Sequence, residues 1–222
     1  MIPKERETVM DKKILVTVAR QYGSGGREIG NRVAELLGIP LYDREIITGA
    51  AEAADLHPDV AEKEDERAAS SLLYTLAMGA HFHIPATATA AHLPINDRLF
   101  MHQSDYIRDR AAEGSGVFIG RCADYVLREE PLRLSVFIFA PTEARCERVM
   151  LRHPELSRTA ALDLITKTDR RRAAYYNFYT GGKWGKYENY HLLLDSHVLG
   201  IEEAAATIAE AARRHAERSC ES

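Results

Sequence analysis

Three glycines and a serine stand together at Gly23-Ser24-Gly25-Gly26, directly after a run of aliphatic and β-branched residues that predicts a buried strand. A helical pattern of apolar residues begins immediately after them. A glycine turn between a strand and a helix lets backbone N–H groups approach an anion, and the helix N-terminus adds positive potential. The residue types and their spacing therefore predict a phosphate-binding turn.

Two phosphate-binding motifs fit this turn in part. The dinucleotide motif G-x-G-x-x-G matches Gly23 and Gly25 but has Glu28 at its third glycine. Asp43 stands where a ribose-binding acid would follow in that motif. The nucleoside triphosphate motif G-x-x-x-x-G-K-[ST] has Arg27 at its lysine and Glu28 at its hydroxyl residue. The turn alone is compatible with both classes.

A second basic segment favours a triphosphate over a dinucleotide. Four cations fall within the six residues 167–172, and three of them are Arg170, Arg171 and Arg172. Clustered guanidinium groups suit the binding of a polyphosphate and of a phosphoryl group in transfer. A dehydrogenase has less use for them, and Glu28 also disfavours an NAD-dependent oxidoreductase.

At this point the sequence resembles the cytidylate kinase-like family, a divergent branch of the P-loop nucleoside monophosphate kinases. The similar segments are residues 18–30, 42–47, 118–121, 168–179, 190–196 and 199–203. The resemblance covers nearly the whole chain and is weakest over residues 51–105. It implies Mg²⁺-dependent transfer of the γ-phosphoryl group of ATP to a nucleoside monophosphate, with CMP or dCMP as the default acceptor.

The resemblance also implies roles for individual residues. Those that would bind the phosphates of ATP are Gly23, Ser24, Gly25, Gly26 and Arg27, and Glu28 completes the predicted ATP-binding turn. Those that would face the acceptor are Asp43, Arg44, Arg121 and Asp124, the last displaced by two residues from the family's carboxylate. Those that would neutralise charge during transfer, as catalytic residues, are Arg27, Arg170, Arg171 and Arg172.

The turn departs from the family at two positions. It lacks the lysine after the glycines, where Arg27 stands, and the Ser/Thr that binds magnesium. The candidate Mg²⁺ ligands are then Ser24 directly and Glu28 through water. The missing lysine keeps a second hypothesis open, namely an ATP-binding sensor or regulatory module with little or no kinase activity.

The elements that must position these residues alternate between strand and helix. Five strands are predicted, at residues 13–19, 39–43, 116–120, 132–139 and 191–195. Helices are predicted after the glycine turn and at about 142–152 and 201–218. This alternation predicts a five-stranded parallel sheet in a three-layer α/β/α fold. The resemblance makes this a P-loop NTPase fold of the nucleoside monophosphate kinase type with two helical inserts.

The length of 222 residues is enough for one such domain. Its core is expected at residues 12–50, 106–152 and 188–218, with an acceptor-binding insert at 51–105 and a lid insert at 153–187. The inserts are expected as flaps over the carboxyl ends of the strands.

Composition restricts the setting of the protein. No apolar run approaches the roughly 20 residues that span a bilayer, the N-terminal residues lack the apolar segment of a secretion signal, and the three cysteines have no C-x-x-C spacing. A cytoplasmic protein without membrane contact is expected. The net charge of −4 gives no overall attraction to nucleic acid, and the partners that the resemblance implies are small-molecule nucleotides. The alanine-rich C-terminal helix fits packing on the sheet or a homodimer contact.

Overall fold

The computed structural model describes residues 13–53 and 94–218, in which five strands form one parallel sheet. The strands are β1 (Leu15–Arg20), β2 (Leu41–Tyr42), β3 (Gly116–Ile119), β4 (Arg133–Phe139) and β5 (Leu192–Asp195). Their spatial order is β2-β3-β1-β4-β5, so β1 is the central strand. Each predicted strand is present, with ends within two residues of those expected.

Helices cover both faces of this sheet. They are α1 (Gly26–Leu37), α2 (Arg44–Ala53), α3 (Ile95–Glu113), α4 (Ala123–Val126), α5 (Thr142–Arg152), α6 (Arg158–Thr180) and α7 (Ser196–Arg218). Side chains of α1 and α7 form one core with β1, β3 and β4, and side chains of α2, α3 and α4 form a second core with β1 and β3. The three-layer α/β/α prediction is confirmed.

Strand β1 forms the centre of the fold because its side chains are buried on both faces. Val16 and Val18 pack into the core beside α1 and α7, while Leu15 packs into the opposite core. Full burial of one such aliphatic side chain stabilises the fold by about 1.5–3 kcal/mol. The carboxyl end of β1 lies between β3 and β4, at the edge of a parallel sheet where ligands bind in folds of this type.

The helices differ from the prediction at two places. Helix α7 begins at Ser196, five residues before the predicted start, and Gly200 (φ 74°, ψ 178°) interrupts its helical geometry. Helix α3 begins at Ile95, so the predicted insert boundary at residue 105 falls inside one continuous helix. The rest of the 51–105 insert lies mostly outside the described residues.

The predicted lid segment 153–187 is mainly the 23-residue helix α6, which begins at an N-cap serine, Ser157, and ends at Gly181. Buried residues of α5 and α6 pack together in a further small core. Among the described residues, no helix has the length and apolar character that crossing a membrane requires.

Candidate functional site

The turn that joins β1 to α1 requires glycine. Gly23 and Gly25 have φ angles of 76° and 78°, in the left-handed region that side chains disfavour. A Cβ on Gly25 would stand 2.6 Å from Cδ1 of Ile201, and one on Gly26 would stand 2.5 Å from Cβ of Arg20. No side chain caps the N-terminus of α1. The turn therefore offers backbone and a helix N-terminus to an anion, as the sequence predicts.

Ser24 holds the turn from inside. It is fully buried, and its Oγ donates a hydrogen bond to the backbone oxygen of Gln21 over 2.9 Å. Its own backbone oxygen accepts a 2.5 Å hydrogen bond from Oγ of Ser196 in α7. The Ser24 hydroxyl thus forms a hydrogen bond within the turn. Its role as a magnesium ligand stays a prediction.

Helices α5 and α6 bind the turn from outside through one ion pair. The backbone N–H of Tyr22 donates a hydrogen bond to Oδ1 of Asp169 over 2.7 Å. The backbone oxygen of Tyr22 accepts one from Nη1 of Arg145 over 3.2 Å. Arg145 and Asp169 lie 2.5 Å apart, with side chains only 8% and 17% exposed. Arg148 adds a 3.0 Å hydrogen bond to the backbone oxygen of Gly23. We call Arg145, Asp169 and Tyr22 the clamp.

A groove of about 570 Å³ runs along the turn at the carboxyl edge of the sheet. Six arginines line it: Arg20, Arg27, Arg44, Arg121, Arg152 and Arg172. Among the described residues, Asp43 is the one carboxylate in its lining. This excess of positive charge in a concave site favours a polyanionic ligand.

Arg27 and Asp43 are in contact, although the sequence predicts that Arg27 binds ATP and that Asp43 faces the acceptor. Nε of Arg27 lies 2.7 Å from Oδ2 of Asp43, and the Arg27 side chain is about half exposed while that of Asp43 is nearly buried. The backbone N–H of Asp43 donates to Oε2 of Glu45 over 3.1 Å. The first residue of α1 beyond the glycines is thus tied to the end of β2.

Of the three predicted lid arginines, the structure brings one to the groove. Nη1 of Arg172 donates to the backbone oxygen of Arg20 over 3.1 Å, and its guanidinium lies 5.8 Å from the centre of the Tyr22 ring. Arg170 and Arg171 are exposed and do not line the groove. Successive helical residues point about 100° apart, so three in a row cannot share one face.

Arg121 lies at the inner end of the groove in an unusual backbone conformation. Gly120, Arg121 and Cys122 have φ angles of 74°, 53° and 55°. Positive φ is costly for residues with a side chain, and such conformations concentrate at functional sites. Arg121 is only 6% exposed and lines the groove, which is where the resemblance expects an acceptor-binding arginine.

Asp124 lies deeper, beside a cavity of about 20 Å³ that has room for about one water molecule. Its Oδ2 accepts a 2.8 Å hydrogen bond from the hydroxyl of Tyr176, and its backbone oxygen accepts one of 2.9 Å from Arg133. Burial raises the pKa of the Asp124 carboxyl, against the opposing effect of the Tyr176 hydrogen bond. Asp124 does not line the groove, and its contact with an acceptor stays a prediction.

The site fits a polyphosphate better than it fits a metal ion. Glycine turn, helix N-terminus and arginines form a phosphate cradle, whereas no group of three His, Cys, Asp or Glu side chains converges in the described part of the chain. Glu28 forms an ion pair with Arg152 and does not line the groove. A magnesium ion is commonly bound by one or two carboxylates plus phosphate oxygens, and Asp43 is placed to supply the carboxylate.

Sequence reasoning missed Arg20, Arg152 and the clamp. Arg20 had a readable signal, because it ends the central strand directly before the glycine turn. Arg145 and Asp169 had none, because the contact between Asp169 and Tyr22 joins residues 147 positions apart.

Comparison with known proteins agrees with this geometry. The model of the family described as "Cytidylate kinase-like family" matches residues 15–198. Among curated proteins, no sequence matches this chain.

Solved structures share the fold. An uncharacterized protein from Eubacterium ventriosum aligns with a TM-score of 0.66 at 24% identity, covering 90% of this chain and 98% of that chain. Shikimate kinase from Bacteroides thetaiotaomicron aligns with a TM-score of 0.51 at 11% identity, covering 89% and 97%. A Thermus thermophilus protein aligns at 0.50 and 17% identity, covering 90% and 98%. The fold is that of the P-loop kinases.

Proposed function

The chain belongs to the cytidylate kinase-like family, and we propose that it transfers the γ-phosphoryl group of ATP to the phosphate of a nucleoside monophosphate, CMP or dCMP. The observation that carries this proposal is the groove in which six arginines and one carboxylate surround a glycine turn. Phosphoryl transfer is catalysed mainly by positioning and by charge neutralisation, and arginine supplies both.

The groove offers two places for phosphate. The glycine turn and the N-terminus of α1 would bind the triphosphate of ATP, with Arg27 beside it. Arg121, at the inner end, would bind the acceptor phosphate, and Arg172 lies close to the turn through its contact with Arg20. These arginines would hold the two phosphates together and offset the negative charge that otherwise keeps them apart.

Magnesium bound with ATP would neutralise charge on the β- and γ-phosphates. Among the described residues, Asp43 is the carboxylate best placed to contact it, and doing so requires release of the ion pair with Arg27. Ser24 and Glu28 remain the candidates for the place of the family's missing Ser/Thr. Glu28 would have to leave Arg152 to take part.

One observation favours a second function, an ATP-binding module without turnover. Arg27 occupies the lysine position and is paired with Asp43 over 2.7 Å. Arginine is planar and bulkier than lysine, so the exchange is not conservative. A turn of this kind would still bind the triphosphate.

An acceptor screen tests both functions. ADP release from ATP and Mg²⁺ is measured with every nucleoside monophosphate and with shikimate, for the wild type, Arg27→Ala and Arg214→Ala. Arg214 is exposed and paired with Glu210, away from the groove, and serves as the matched control. We expect release that depends on CMP or dCMP, is lost in Arg27→Ala and persists in Arg214→Ala.

The other outcomes discriminate between the functions. Tight ATP binding without ADP release over the whole panel would favour the ATP-binding module. Release that depends on shikimate alone would retain a phosphotransferase and reject a nucleotide acceptor. NADH binding that excludes ATP would overturn both functions.

A further inference from the structure

Arg20 lies at the point where the groove meets the inner cavity. It is the last residue of the central strand β1, and its side chain lines both the 570 Å³ groove and the 20 Å³ cavity beside Asp124. Within the described residues, Arg121 and Arg172 are the only others that line both spaces. Three arginines, from β1, the β3–α4 connection and α6, therefore border both the groove and the cavity, and we call this place their junction.

Two glycines make room for the Arg20 side chain. A Cβ on Gly26 would stand 2.5 Å from Cβ of Arg20, and a Cβ on Gly120 would stand 1.9 Å from its Nη1 and 3.0 Å from its Cζ. The guanidinium thus lies directly against the backbone of Gly120, and its stem lies against the first residue of α1. Any larger residue at either position would displace it.

The Arg20 backbone is also fixed. Its oxygen accepts the 3.1 Å hydrogen bond from Nη1 of Arg172, and it directly precedes Gln21, whose N–H donates to the oxygen of Ile138 in β4 over 2.9 Å. The end of the central strand thus holds the Arg20 backbone, and the Arg20 side chain lies against two glycines. Such preorganisation is what a charge-stabilising group requires.

We propose that Arg20 is a phosphate-binding residue of this groove, acting with Arg121 and Arg172 on a phosphate at their junction. The inference rests on the proposed function for the identity of that phosphate, which is the group passing between donor and acceptor. A guanidinium group can donate paired hydrogen bonds to phosphate oxygens, so arginines that border one place suit a phosphate dianion. Arg20 thereby supplies fixed positive charge to a turn that lacks its lysine.

The test measures binding of inorganic tripolyphosphate and of ATP by calorimetry, together with acceptor-dependent ADP release. The variants are Arg20→Met, which keeps an unbranched stem without charge, and Arg20→Lys, which keeps charge without the planar fork. The matched control is Arg214→Ala. Thermal unfolding of each variant establishes that it folds.

We expect Arg20→Met to weaken tripolyphosphate binding about 10- to 100-fold, the loss typical of a charged hydrogen-bond donor. Arg20→Lys should recover part of that loss and still bind about tenfold more weakly than the wild type. The dependence of affinity on salt should also be shallower in Arg20→Met, because one phosphate-neutralising charge is gone. A purely structural role would leave that salt dependence unchanged.

The outcomes separate this inference from the proposed function. If the wild type binds tripolyphosphate but releases no ADP with any acceptor, the proposed kinase function is rejected. The tripolyphosphate affinity of Arg20→Met then still tests the role of Arg20. A folded Arg20→Met that binds tripolyphosphate within twofold of the wild type overturns the inference even if kinase activity is present. Should Arg20→Met not fold, Arg20→Lys decides, and affinity within twofold of the wild type overturns it. A wild type that binds neither probe overturns both.

Discussion

Asp169, beside the glycine turn, and Asp124, beside the inner cavity, are carboxylates in two different environments. At the turn end, Asp169 forms an ion pair with Arg145 and accepts a hydrogen bond from the backbone N–H of Tyr22. At the inner end, Asp124 is buried against the hydroxyl of Tyr176, and burial raises its pKa. One carboxyl is paired and the other is pushed toward its neutral form. Neither carboxylate lines the groove, in which Arg27 is paired with Asp43 and Arg152 with Glu28.

The structure around Asp169 depends on electrostatics, whereas the structure around Asp124 depends more on packing. The clamp contains a buried ion pair between Arg145 and Asp169. Removing one partner would leave the charge of the other buried and uncompensated, which is strongly destabilising. Beside the inner cavity, Asp124 lies among buried aromatic side chains, and Tyr175 and Tyr176 pack with Cys122. Burial, and next the nearby Asp124 carboxyl, raise the pKa of Tyr176, so this phenol stays protonated as a hydrogen-bond donor.

The largest expected effect is on the clamp. Asp169→Asn leaves the buried guanidinium of Arg145 without its counter-charge and should lower the free energy of unfolding by about 3 kcal/mol. Asp163→Asn, at an exposed position of the same helix, is the matched control and should change it by less than about 0.5 kcal/mol. Urea denaturation measures both. Equal stability of the two variants would show that the clamp does not hold the turn.

The second prediction concerns the glycine turn, and it distinguishes a loss of stability through backbone strain from a loss of ATP affinity. Gly25→Ala forces a side chain into the left-handed region, at about 1–2 kcal/mol, and its Cβ would displace Ile201. ATP affinity should fall at least about tenfold, because the turn must move.

Gly38→Ala is the matched control for that variant. Gly38 also has positive φ, at 65°, but a Cβ there would meet nothing within 4 Å. Gly38→Ala should cost only the backbone strain of about 1–2 kcal/mol and leave ATP affinity unchanged, as calorimetry can measure. Equal loss of ATP affinity in both variants would contradict a specific role for the turn.

The sequence was sufficient for the sheet and for the turn, because both depend on local patterns. The β1 run and the helix over residues 142–152 follow directly from apolar spacing, and the glycines mark the turn. The groove lining was only partly predictable. Arg170 and Arg171 were read as one cluster with Arg172, but helical geometry directs them elsewhere. Asp169, inside that same cluster, gains its role only through a tertiary contact with Tyr22.

The third prediction concerns pH and the inner end. The folded-state pKa of Asp124 is raised above its unfolded value of 3.8, so folding favours the protonated carboxyl. Its contribution to stability is therefore complete below pH 3.8 and is lost as pH rises through the folded pKa.

Asp124→Asn removes this titration. The difference in unfolding free energy between wild type and variant should shift against the wild type as pH rises from about 4, a window that urea denaturation at successive pH values covers. A difference that instead favours the wild type with rising pH would mean that Asp124 is stabilised as a carboxylate, and the contrast between the two ends would fail.

The smallest expected effects are at Arg170 and Arg171, and they test whether the charge at the turn end is local. Both side chains are exposed outside the groove, whereas Arg172 contacts the Arg20 backbone and the Tyr22 ring. Because exposed charges are screened beyond about 10 Å at moderate salt, Arg170→Ala and Arg171→Ala should each change the dissociation constant for ATP by less than about twofold. Arg172→Ala should raise it about tenfold, since it removes a charged donor from the groove. If calorimetry finds all three losses equal, α6 acts through its summed charge, and the position of Arg172 in the groove is not what matters.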